Sequence, residues 1–232
     1  MLIGKFSVKK YLSVLIFSVL FSASLTSVAP VDQVIRFSLW TPLESYPGSG
    51  EEFDPKAPFA YPIQRLKEVV PFFIEGMVCG WRFTYTPSDK MRNVEEYFEF
   101  EPLREYPNME SSIKYLEPWV EGNRLNCWIE FYCPPYLTAW REQWNRSQYK
   151  KISGRGYGSL MKGFDGIYEG ASEALKEAVR AYGRTVVKNK PQEISGEVLL
   201  TGLPSIGLKA GRYVVDLDFF LNVSRIRDYS AY

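Results

Sequence analysis

The sequence predicts an α+β fold in which an antiparallel β-sheet packs against one long amphipathic helix over about residues 160–187. Three observations carry this. Several short runs alternate apolar and polar side chains with a period of two, one long run repeats apolar or small side chains at spacings of three and four, and hydrophobic residues make up 46% of the chain, too many for a disordered polymer.

The N-terminus stands apart from this pattern. Lys5, Lys9 and Lys10 precede an almost unbroken apolar run from Tyr11 to Leu25, and small residues follow at Ser27 and Ala29. That is the pattern of a cleaved secretory signal. The run falls short of the ~20 apolar residues that cross a bilayer comfortably, and it holds no cysteine to carry a lipid. The expected organisation is therefore a signal over residues 1–29, an N-terminal strand and Pro-rich extended segment over 30–62, and a single α+β domain over 63–232. The mature chain is expected to be exported, periplasmic or at the cell surface, without a transmembrane span.

Taken in order, Val34 to Trp40 alternates Ile35, Phe37 and Leu39 against Arg36 and Ser38, which predicts a strand. Pro42, Pro47, Pro55, Pro58 and Pro62 then predict an extended loop, and Ile63 to Val70 a short helix interrupted at Pro71. The odd positions from Met77 to Tyr85 are apolar, predicting a strand over 77–86, with further strands at Glu95 to Glu101 and Leu125 to Cys133. Ser153 to Ser159 carries glycines at 154, 156 and 158 and reads as a flexible turn or, less favoured, as an anion cradle. Phe164, Ile167, Ala171, Ala174, Leu175, Ala178, Tyr182 and Val186 mark the buried stripe of the long helix. Strands at Ile194 to Thr201 and Tyr213 to Val223 complete the chain; the second has the longest clean alternation and belongs near the sheet centre.

Composition narrows the chemistry. The chain has no histidine, so Ser-His-Asp and Cys-His nucleophiles, His-ligated zinc and imidazole acid–base catalysis are all excluded. Lysine and arginine, 28 in all, nearly balance 27 acidic residues, and no global field selects a nucleic-acid partner. The three cysteines allow at most one internal bridge. Cys127 and Cys133 lie roughly 20 Å apart along a strand, so a bridge would join Cys79 to Cys127 or Cys133; three buried thiols are the equal alternative. Asp216 and Asp218, and Glu95, Glu96, Glu99 and Glu101, form carboxylate groups that read as solvated strand faces.

One region combines charge with aromatic surface. Trp140, Arg141, Trp144, Arg146, Tyr149, Lys150, Lys151 and Arg155 are the candidate binding residues, with Trp140 and Trp144 sharing a helix face four residues apart. The same tryptophans could instead pack on the sheet. The expected function is that of a non-enzymatic envelope protein that binds a protein, polymer or anionic surface there, with no cofactor and no metal. The alternatives are a carboxylate-based polysaccharide hydrolase and a carrier of a small apolar ligand.

Overall fold

The computed structural model describes residues 34–47, 49 and 56–229; the expected signal, residues 1–29, lies outside them. The fold is α+β with antiparallel sheets and helices. The described residues form nine strands, β1 (Val34–Pro42), β2 (Trp81–Thr86), β3 (Tyr97–Pro102), β4 (Ile113–Glu121), β5 (Arg124–Tyr132), β6 (Lys150–Ser159), β7 (Glu193–Leu200), β8 (Ser205–Lys209) and β9 (Arg212–Arg227), with helices α1 (Ala60–Val78), α2 (Pro135–Arg146) and α3 (Phe164–Val186).

Two sheets form where one was expected. The smaller has the order β1-β5-β4, and the larger runs β3-β2-β7-β9-β6 with β8 also paired to β9. The alternation from Leu125 to Cys133 is indeed a strand, but it pairs with β1 in full register from Val34↔Tyr132 to Pro42↔Arg124 rather than with β2 or β3. Period-two patterning states which face is buried and leaves the partner open. On the larger sheet, β9 occupies the interior and pairs along one edge with β6 and along the other with β7 and β8.

Helix α1 replaces the expected short helix and takes in residues 77 and 78, which the alternation assigned to a strand. Pro71 lies inside it. A proline there removes one backbone bond, yet Val69, Val70, Phe73, Ile74, Met77 and Val78 are all buried, and that apolar burial outweighs the lost bond. The helix ends where Gly80, at φ 79°, donates its N–H to the Glu75 carbonyl at 3.0 Å.

The segment expected to be a turn, Ser153 to Ser159, is strand β6. Its three glycines face α3. A Cβ at Gly154, Gly156 or Gly158 would run into the carbonyl oxygens of Ala174, Gly170 and Gly166 respectively. Glycines two apart on the strand thus meet small residues four apart on the helix, and the two backbones approach closely along a seam. Ala171, Ala174, Leu175 and Ala178 of α3 join Phe83, Ile194, Val198, Val215 and Phe219 in one core that also reaches Phe37, Ile129 and Phe131 of the smaller sheet.

Candidate functional site

The candidate aromatic and basic region is largely part of the packed structure. Trp144 is buried with Leu199 and Phe220, a cross-strand pair on the outer face of the larger sheet. Trp140 is half-buried, with the Arg104 guanidinium 3.9 Å from its ring, and it meets Trp144 edge-on at 5.8 Å. Arg141 donates from Nε to the Met77 carbonyl at 3.0 Å and ties α2 to the end of α1. Tyr149 stacks obliquely on Trp144 at 4.5 Å. Arg146 is exposed and bonded to Glu142, and Arg155 forms a two-pronged bond with Asp216. Lys150 and Lys151 are exposed at the start of β6. The two tryptophans and Arg141 therefore offer no open stacking surface, because an outer sheet face carrying Leu199 and Phe220 needs an apolar cover.

Of the two arrangements open to the cysteines, a bridge from Cys79 or three buried thiols, the structure has the second. Cys79, Cys127 and Cys133 are free and buried. Burial pushes the Cys79 thiol up to about 12, with Glu75 acting in the same direction, so none of the reactivity of a thiolate is available at neutral pH.

A different concave site emerges from strand pairing. The register Tyr85↔Ile194 brings the end of β2 beside the start of β7, and so places the turn after β2 next to the connection that follows α3. Asp89, buried, shapes that turn: its backbone pairs with Val94, and its carboxylate accepts from the Met91 N–H at 3.0 Å and from Arg92 Nη1 at 2.6 Å. The Arg92 bond holds the Asp89 carboxyl below its usual range. Lys190 donates to the Ser88 carbonyl and fixes the second wall against the first.

The result is an open cleft of about 530 Å³ lined by Tyr85, Glu96, Arg180, Arg184, Lys188 and Lys190 among others. An adjoining hollow of about 1010 Å³ shares Lys188, Asn189 and Lys190 and adds Asp89, Lys90, Arg92 and Asp228. Beneath the first cleft lies a satisfied network. Tyr85 Oη donates to Glu96 Oε1 at 2.9 Å and accepts from Arg180 Nε at 3.1 Å; Arg180 also bonds Glu96 and Glu177, and Lys176 lies 3.6 Å from Glu96. Burial works to raise the Glu96 pKa, but the Arg180 and Tyr85 bonds prevail and hold it below the usual carboxylate value. Counted over the two linings, six cations, Lys90, Arg92, Arg180, Arg184, Lys188 and Lys190, face three carboxylates, Asp89, Glu96 and Asp228; Asp89 is bonded to Arg92, and Arg180 is bonded to both Glu96 and Glu177. Such an excess gives the cleft and the hollow beside it a locally positive field. Sequence reasoning passed over these residues because the two cation-bearing stretches, around Lys90 and around Lys188, are far apart in the chain.

A third hollow, of about 720 Å³, has Phe72, Glu75, Tyr106 and Glu110 in its wall. Glu75 Oε1 accepts from Trp81 Nε1 at 3.0 Å, yet burial pushes its carboxyl above the usual range. Among the described residues no group of acidic or cysteine side chains has the arrangement of a metal site, and no helix is long and apolar enough to cross a membrane.

A protein-family profile matches residues 23–229 of this chain. An uncharacterised protein of Treponema pallidum (strain Nichols) is 29% identical over 200 residues, which cover 85% of this chain and 83% of that one. No solved structure matches.

Proposed function

The chain belongs to this uncharacterised protein family, and on that premise we propose that it is an exported, non-enzymatic envelope protein that binds an anionic envelope component through the cleft between the turn after β2 and the end of α3. The export signal expected over residues 1–29 supplies the compartment. The observation that carries the binding reading is the excess of cations around the cleft after Asp89 and Glu96 are committed to Arg92 and Arg180. This moves the binding surface away from Trp140, Trp144 and Arg141, which are used in packing, while keeping the electrostatic character of the partner.

The test is binding of the mature chain to a soluble polyphosphate and, separately, to vesicles with and without an anionic phospholipid, over a range of salt. Arg184→Glu with Lys188→Glu should weaken binding at least tenfold and flatten its salt dependence. Retention by vesicles alone identifies a membrane surface, and retention by the soluble polymer identifies a polymeric partner. Unchanged binding in the double variant removes the reading.

A carboxylate-based hydrolase is the second reading, favoured by one observation, that Glu75 and Glu110 line the same hollow, where burial moves the Glu75 carboxyl in the direction a general acid needs. Glycan release that Glu75→Gln abolishes would support it; no release from envelope polysaccharide would end it.

A further inference from the structure

On the smaller sheet, away from the basic cleft, helix α1 and strand β4 do not close on one another. Phe59, Ile63 and Leu66 on one side and Tyr115, Pro118 and Val120 on the other wall a furrow of about 480 Å³. Strand β4 breaks register between Leu116 and Trp119, and Glu117 has φ 46°. Pro118, placed in that bulge, contributes no N–H to the sheet and forms part of the wall. Phe59, Ile63 and Val120 remain 48%, 44% and 50% exposed, so large apolar side chains meet water together around one furrow.

Polar groups in this wall are few. The Cys127 thiol lies within 3.4 Å of the carbonyls of Leu116 and Trp128, burial pushes the Tyr115 phenol up to about 12, and Lys67 is the one charged side chain in the lining. A furrow that is apolar along its length and cationic at one place matches an amphiphile with a single chain and an anionic head. Shape supports the same choice. An α-helix is at least ~10 Å across with its side chains, so this volume would hold only about one turn of it, and a stable protein interface needs roughly 800 Å² on each partner.

We propose that the furrow binds one long-chain alkyl carboxylate, its chain along Ile63, Leu66 and Val120 and its head group against Lys67. The site is independent of the basic cleft and stands whether or not that cleft binds anions.

The experiment is a calorimetric titration of the mature chain with alkyl carboxylates of about 8 to 14 carbons, each below its micelle concentration, beside alcohols of equal length. Binding should saturate at one ligand per chain and tighten about fourfold for each added methylene, the equivalent of ~0.8 kcal/mol. Ile63→Asp and Val120→Asp, both at exposed positions, should each abolish it, with circular dichroism confirming that the variants fold; whichever folds decides the point. Lys67→Met should weaken the carboxylate about tenfold and leave the alcohol unchanged. No saturation, affinity independent of chain length, or unchanged binding in the folded Asp variant overturns the proposal. So does a dimer in solution that the Asp variant dissolves, since the furrow would then be a contact between copies.

Discussion

Two of the helix-on-sheet contacts of this molecule use opposite means. Where α3 crosses β6, glycines of the strand meet glycines and alanines of the helix, bringing backbone against backbone and leaving no room for even a methyl group. Where α1 passes β4, large side chains hold the elements apart, a bulge bends the strand, and a furrow of about 480 Å³ stays open. The first contact is specified by the absence of side chains and the second by their size. A sealed seam of that kind can only support the fold, whereas an open apolar one is available to a ligand.

The contrast is broken most severely at the seam. Gly158→Val should destabilise the chain by more than ~4 kcal/mol, because the obstacle is the Gly166 backbone carbonyl, which no rotamer change can move aside. Urea denaturation measures it, with Gly207→Ala as the matched control: nothing lies within 4 Å of a Cβ there, and its midpoint should shift by less than the equivalent of ~0.5 kcal/mol. Next comes the outer face of the same sheet. Trp144→Ala should cost ~3 kcal/mol through the cavity left over Leu199 and Phe220. Loss of ligand binding out of proportion to that destabilisation would return Trp144 to the binding surface.

Two carboxyls sharpen the comparison through pH. The folded pKa of Glu96 is depressed, so its contribution is present above the ordinary carboxylate range and is lost as pH falls through the folded value. Glu96→Gln should lower the melting temperature at pH 7 by the equivalent of ~1 kcal/mol, with the gap closing on acidification. Burial raises the folded pKa of Glu75, so its contribution is present below that range and is lost as pH rises through the folded value. Glu75→Gln should therefore raise the melting temperature at pH 7, by the equivalent of roughly 0.5 kcal/mol since water still partly screens this half-buried carboxyl. A shift of the same sign in both variants would refute this assignment of environments. The smallest effect belongs to the open furrow: Ile63→Asp should alter stability by less than ~0.5 kcal/mol, since the side chain is already half in water.

Local pattern carried the strands a long way. The alternations at Val34 to Trp40, Leu125 to Cys133 and Tyr213 to Val223 became β1, β5 and part of β9 with the expected faces buried. It failed at residues 77–80, where apolar residues two apart fitted a strand and a fully buried helix end equally well. It failed at Ser153 to Ser159 for a different reason. Glycine signals a turn when it supplies positive φ, but these three glycines supply room, and room is a property of the helix on the other side. The site suffered most. The cluster from Trp140 to Arg155 was contiguous in sequence and therefore visible, whereas Lys90 and Lys188 meet only because Tyr85 pairs with Ile194.

By itself, then, the sequence determined the α+β class, the buried faces of the longest strands and the exclusion of histidine chemistry, because these follow from period, composition and the chemistry of single side chains. Tertiary structure alone decided that the described residues form two sheets, that β6 is a strand, that Trp144 is a cover for Leu199 and Phe220, and that six cations line a cleft and the hollow beside it. Each of those depends on which element lies next to which, and a pairing between distant segments leaves no mark in either segment alone.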